Sequence, residues 1–210
     1  MGNYTIKPQS SHASTGSFKT SIEGSKITPE MGNVTVTTKS QNQSIANSDI
    51  SYGSIYWQYF ENFDKIIASA SPLSINKKLF IEKNSNSGKI LTPVNDNDEV
   101  NIGDKIIIRL ELRTDRDMDY VHLKDTRAAT MEPVNVLSSY KYQDGLGYYE
   151  ATKDASTNFF FGNIRKGTYV FEYPVFITHS GTFSIGIANL QCMYAPEFTS
   201  HSEGMKINVK

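Results

Sequence analysis

The sequence predicts an all-β chain folded as an antiparallel β-sandwich, on three observations. Apolar residues alternate with polar ones at period two, sustained helical periodicity is absent, and Gly, Asn, Asp and Pro turns interrupt the chain at short intervals. The clearest strand is Lys105–Arg113, where Ile106, Ile108, Leu110 and Leu112 share one face and Lys105, Arg109, Glu111 and Arg113 the other. Short strands joined by tight turns close into sandwiches, whereas a parallel sheet needs intervening helices.

In chain order, residues 1–25 read as a lead-in, polar and Ser-rich over 1–16, either poorly ordered or, the favoured reading, the product of a cut inside a longer polypeptide. Strands are expected at Val34–Thr38, Tyr52–Phe60, Ile75–Glu82, Met118–Lys124, Tyr148–Thr152, Asn158–Ile164 and Met205–Lys210. Thr168–Tyr173 sets Tyr169, Phe171 and Tyr173 on one face. Pro174 follows and lacks a backbone donor, which marks an edge or a kink. Phe183, Ile185 and Ile187 repeat the alternation after the Ser180-Gly181 turn, and Ala188, Leu190 and Cys192 share one strand face. Asn84–Gly88 and Asn95–Asp98 are polar turns inside one domain. The small residues of Ala68–Pro72 read as a connector, dividing a segment at 26–70 from a domain at 71–210. The 26–70 segment has too few strands to close a sandwich alone, so its missing half is expected to come from elsewhere.

With 210 residues, 38% hydrophobic and 20% charged, the chain can bury a core. Its net charge of -1, without clustered Lys or Arg, gives no basis for binding nucleic acid or an anionic membrane. Met1–Pro8 has neither a basic start followed by an apolar run nor a stretch long enough to span a bilayer, so no signal is expected here, which leaves one in a parent protein open. Cys192 is the single cysteine, which excludes an internal disulfide and a thiol-built metal site. Nucleophile-elbow, phosphate-loop and His-Glu-x-x-His motifs are missing, so the expectation is a non-enzyme with no cofactor and no metal.

Four constellations have the residue types of a site. Asp115, Asp117 and Asp119 alternate as at the start of a calcium loop, but the turn Gly and distal Glu do not follow, and a solvated hairpin tip fits better. His122, His179 and His201 would suit zinc only if the fold brought them together. Cys192 and His201 could form a nucleophile pair, but Leu190 and Met193 flank the sulfur with apolar groups, which favours burial. Tyr140, Tyr142, Tyr148 and Tyr149 flank the Gln143–Gly147 turn and could form an exposed aromatic platform. That is the basis of an alternative reading as a stand-alone carbohydrate-binding or adhesive module.

The segment Gln191-Cys192-Met193-Tyr194-Ala195-Pro196-Glu197-Phe198 resembles the closing motif of bacterial alpha-2-macroglobulins. Tyr120–Asp125, Glu132–Val134, Tyr148–Glu150, Asp154–Phe160, Gly167–Tyr173 and Gly181–Phe183 continue that resemblance in the family's order. It implies a terminal macroglobulin-like sandwich over 71–210, preceded at 26–70 by the second half of a CUB-like sandwich. It further implies a peptidase inhibitor whose bait segment is cut and whose buried thioester then captures the attacker. This chain holds neither bait nor thioester, since Cys192 is followed by Met-Tyr-Ala. By the family pattern Met193 and Tyr194 shield the thioester from water, and Pro196 sets the angle of their loop. The implied partners are the thioester domain and other macroglobulin-like domains of a parent chain, and the peptidases that the parent traps. The implied location is the periplasm or cell envelope of a Gram-negative bacterium.

Overall fold

The computed structural model describes residues 18–36, 53–86, 88–96 and 98–210. Most of the expected lead-in therefore lies outside the described residues, as do Thr37, Thr38 and Tyr52. The chain divides between Gln58 and Tyr59 into two units. The described part of the first carries single 3-10 turns at Gly24–Lys26 and Pro29–Gly32.

All strands described belong to the second unit. They are β1 (Leu73–Ser85), β2 (Gly88–Val94), β3 (Glu99–Val100), β4 (Lys105–Thr114), β5 (Met118–Thr126), β6 (Met131–Pro133) and β7 (Ser139–Gln143). The chain continues with β8 (Leu146–Thr152), β9 (Ser156–Ile164), β10 (Gly167–Ile177), β11 (Gly181–Ser184), β12 (Ala188–Cys192), β13 (Thr199–His201) and β14 (Lys206–Val209). One sheet has the order β2-β1-β4-β10-β6 and another β13-β12-β5-β9-β8-β7, both antiparallel throughout. A small third sheet, β11-β14-β3, includes one parallel pair. The two large sheets share one apolar core, so the fold is the expected all-β sandwich.

Alternation fills that core. Ile106, Ile108, Leu110 and Leu112 of β4 are buried against Val121 and Leu123 of β5, Phe159 and Phe161 of β9, and Phe171 and Tyr173 of β10. Phe159 and Phe171 lie 5.3 Å apart and tilted, a spacing that favours the ring quadrupoles.

Pro174 sits where β10 changes neighbours. Residues 167–173 of β10 pair only with β4; Pro174 O accepts the Val134 N–H at 3.3 Å on the other edge, and β6 joins from Val175. The open edge is capped by side chains of the β7–β8 hairpin: Asp144 accepts the Val170 N–H at 2.7 Å, and Gln143 both accepts from Glu172 N and donates to Glu172 O. Asp144 and Gly145 can make this reach because both adopt positive φ, 50° and 76°, as a two-residue type I′ turn requires.

Three sequence expectations change. Val34–Val36 and residues 53–60 form no strand. A strand needs a partner for its row of N–H and C=O groups, and here Ile55, Tyr56, Trp57, Tyr59 and Phe60 remain exposed. The Phe183–Ile187 alternation breaks at Gly186, whose φ of 69° and close approach to Thr126 leave no space for a Cβ. Asp115–Asp117 does not tip a hairpin, because β4 and β5 lie in different sheets and the segment crosses between them.

The segment leading into β1 is strapped down. Ser69 and His201 exchange two backbone hydrogen bonds, Gly204 N–H donates to Ile66 O at 2.9 Å, and Lys206 reaches Asp64 at 2.7 Å. That Lys206 contact holds the Asp64 carboxyl below its ordinary range. A Cβ at Gly204 would fall 1.6 Å from Phe63 O, so glycine is the residue that permits the strap.

Candidate docking site

The β12–β13 hairpin projects residues 193–198 from the end of the six-stranded sheet. Its stem is closed by Cys192 N–H on Phe198 O at 3.0 Å and by Thr199 Oγ1 on Leu190 O at 3.1 Å. Phe198 N–H returns to Ala195 O at 2.9 Å, which places Pro196 at the second position of a β-turn that its fixed φ favours. Met193 N–H continues the ladder onto Tyr120 O at 2.9 Å.

On this held backbone the side chains stay out of the core: Met193 is 55% and Tyr194 79% exposed. The Tyr194 ring stands edge-on to Tyr120, with centroids 5.2 Å apart and an interplanar angle of 85°. Beneath them lies an open groove of about 410 Å³ lined by Arg116, Asp119, Tyr120, Cys192, Tyr194 and Phe198, among others. Arg116 sits 5.5 Å over the Phe198 ring and pairs with Asp115, whose carboxyl it holds below the usual range. A thioether and a phenol ring presented on a rigid stem can fill a concave apolar surface and exclude water from it.

The other constellations separate. Asp115 pairs with Arg116, Asp117 accepts Lys166 N–H at 2.7 Å, and Asp119 accepts from Asn163 at 2.7 Å, so the three carboxylates face different partners. His122 stacks on Phe160, His179 bonds Thr178, and His201 lies opposite Asn189. Among the described residues no cluster of three or more His, Cys, Asp or Glu could hold a metal ion. Cys192 is buried with its thiol on Asp119 O at 3.3 Å, three strand positions along from the residue facing His201.

The tyrosine platform is corrected by the pleat. Tyr148 and Tyr149 are adjacent and point to opposite faces. Tyr148 is only 2% exposed, packed on Phe159 and Phe171. Tyr140 and Tyr142 are exposed, but the Tyr140 and Tyr149 rings meet each other at 4.9 Å and His122 covers Phe160 at 4.7 Å. These rings spend contact area on one another, leaving no flat four-ring surface.

Tyr148 and Tyr173 are protonated far above ordinary pH. Burial, then the Glu150 carboxylate, pushes the Tyr148 phenol up to about 12. Burial, then Asp125, raises Tyr173 well above its ordinary value. Both raised values favour the neutral phenol in the fold, so their contribution is complete below the unfolded phenol value of 10.0 and is lost as pH climbs past it. The expected loss is up to about 1.4 kcal/mol per pH unit for each phenol. The Tyr148 hydroxyl has no hydrogen-bond partner among the described residues. Tyr148→Phe should therefore remove one share of that alkaline slope and leave stability at pH 7 unchanged or about 1 kcal/mol higher. Urea unfolding at pH 7 and pH 11 measures both; a clear loss at pH 7 would show that the hydroxyl does have a partner.

The core also holds a polar cluster. Lys77 of β1 donates to Asp125 Oδ1 at 2.6 Å, to Thr126 O at 2.8 Å and to Ile185 O at 3.2 Å, while Tyr173 OH donates to Asp125 Oδ2. Both charged side chains are almost fully buried and belong to opposite sheets. The signal was present in the pattern: Lys77 takes an inward turn between Ile75 and Leu79, and Asp125 follows Val121 and Leu123.

Comparison with known proteins assigns the fold. Residues 73–197 match the family described as the bacterial alpha-2-macroglobulin MG10 domain. The chain belongs to that family. Among solved structures, Escherichia coli alpha-2-macroglobulin activated by porcine elastase aligns at 14% identity and TM-score 0.55, over 69% of this chain and 14% of that one. A native Escherichia coli fragment running from domain MG7 to the C-terminus aligns at 10% identity and TM-score 0.51, over 69% and 25%. A point mutant of Salmonella alpha-2-macroglobulin aligns at 13% identity and TM-score 0.52, over 69% and 10%. This chain thus spans between 10% and 25% of the length of those chains. No curated protein matches it. Among the described residues no helix is long and apolar enough to cross a membrane.

Proposed function

We propose that this chain is the non-catalytic C-terminal part of a bacterial alpha-2-macroglobulin-type peptidase inhibitor, and that the Met193–Tyr194 hairpin docks on the parent's thioester domain. The observation that carries this reading is the pairing of a hydrogen-bonded stem with two large exposed side chains at the family's closing motif. Hydrolysis of a thioester needs a water molecule at its carbonyl. A docked ring and thioether remove the space for it, and the Tyr194 hydroxyl can donate a hydrogen bond nearby. Bait cleavage would then shift the population from docked to undocked.

Residues 26–70 fit the second half of a CUB-like sandwich whose other strands lie elsewhere in the parent. The exposed Ile55, Tyr56, Trp57, Tyr59 and Phe60 are the side chains such strands would cover. The partners are accordingly the thioester domain and the other macroglobulin-like domains, and the trapped peptidases, in the periplasm or cell envelope of a Gram-negative bacterium.

The test is methylamine incorporation into the intact parent, followed by whole-protein mass. A Salmonella alpha-2-macroglobulin reacted with methylamine is among the structures sharing this fold. Tyr194→Gly should label about tenfold faster or more, corresponding to a docking preference of roughly 1.4 kcal/mol. Equal rates in wild type and variant would reduce Tyr194 to a surface residue of the hairpin.

A further inference from the structure

We infer that Tyr120 is the positioning residue of the Met193–Tyr194 hairpin, a role that rests on the docking reading above. Two non-glycine residues among those described have positive φ, and the other, Asp144, sits in a turn that requires it. Tyr120 lies within β5 at φ 54°, a conformation that a bulky side chain avoids. The residue is 55% exposed, so burial does not compensate the strain.

What the conformation achieves is visible in two carbonyls. In an extended strand successive C=O groups point to opposite sides, whereas a residue in a helical region, right- or left-handed, turns the peptides before and after it the same way. Tyr120, whose φ of 54° is not that of an extended strand, has two successive carbonyls turned the same way about it. Tyr120 O keeps the β5–β12 ladder bond, accepting the Met193 N–H at 2.9 Å, and it is Asp119 O, turned to the same side, that departs from the strand pattern and accepts the Cys192 thiol at 3.3 Å. The kink also shifts the burial phase, turning both Met118 and Val121 inward although they are three residues apart. On the partner strand the ladder pairs Asp119 with Asn163 and Val121 with Phe161, leaving Gly162 across from Tyr120. The Tyr120 ring then meets the Tyr194 ring edge-on at 5.2 Å. One strained residue thus ties the base of the hairpin through the Cys192 thiol and sets its own ring against the docking ring.

Two variants separate the ring from the backbone. Tyr120→Asn removes the ring but keeps a residue that tolerates the left-handed region; Tyr120→Phe keeps the ring and loses only the hydroxyl. In the 210-residue chain, NMR of the Tyr194 ring should show its protons moving toward unfolded-chain positions in Tyr120→Asn and unchanged in Tyr120→Phe, with the β12–β5 amide signals of both retained. In the intact parent, Tyr120→Asn should take up methylamine several-fold faster than wild type, and Tyr120→Phe at the wild-type rate. An unmoved Tyr194 ring in Tyr120→Asn overturns the inference whatever the parent does. So does wild-type labelling of Tyr120→Asn in a parent where Tyr194→Gly labels faster. If Tyr194→Gly itself labels at the wild-type rate, the docking reading has failed, and the NMR comparison alone decides whether Tyr120 sets the ring.

Discussion

Asp125→Leu should lower the unfolding free energy by about 3–5 kcal/mol, because it leaves the Lys77 ammonium buried without a counter-charge. In the native chain Lys77 has three acceptors, Asp125 Oδ1 and two backbone carbonyls, and only the carboxylate balances its charge. The substitution also strips Tyr173 OH of its carboxylate acceptor. Removing the cation as well, in Lys77→Met with Asp125→Leu, should recover most of the loss, since the desolvation of both charges disappears together. Urea denaturation of the chain followed by far-UV circular dichroism gives all the values required. A loss below about 1 kcal/mol in Asp125→Leu would show that water reaches the pair and that the two sheets are not joined there by a dry ionic contact.

Phe159→Ala should cost about 3–5 kcal/mol, as large aromatic-to-alanine truncations in a core do. Phe159 is 1% exposed and touches Tyr148, Phe171 and Tyr173, so it joins β8, β9 and β10 across the sandwich. Its neighbour Phe160 faces outward against His122, and Phe160→Ala should cost no more than about 1 kcal/mol. The same denaturation experiment compares them. Similar losses for the two variants would mean that the β9 register is shifted by one residue, because a one-residue slip exchanges the faces.

Alternation made most of the sandwich legible. Ile106, Ile108, Leu110 and Leu112 are all buried, and Tyr169, Phe171 and Tyr173 line up as the pattern requires. What escaped includes strands too short to show a period. Strand β6 has three residues and β13 three, too short for any periodicity to register, and each exists only because β10 or β12 offers it hydrogen bonds. The opposite error occurred at residues 53–60, where aromatic residues with strand propensity have no ladder to join. At the candidate site the motif marked Met193, Tyr194 and Pro196, but not Tyr120, because a positive φ at a tyrosine leaves no trace in composition or spacing. Tyr148 is buried where an exposed platform is expected, and its alternation with Tyr149 already separates the two, because proximity to a turn does not decide which face of the pleat a side chain takes.

The docking of the Met193–Tyr194 hairpin on another domain is most directly tested by hydrogen exchange of the peptide spanning residues 191–198, compared between this chain and the intact parent before any peptidase is added. Docking predicts slower exchange at Tyr194 and Ala195 in the parent, because the exposed loop tip becomes covered while the stem hydrogen bonds, that of the Met193 N–H included, stay as they are. Equal exchange in the two forms would contradict the account, leaving the hairpin a solvent-facing corner of the sandwich in the assembled protein.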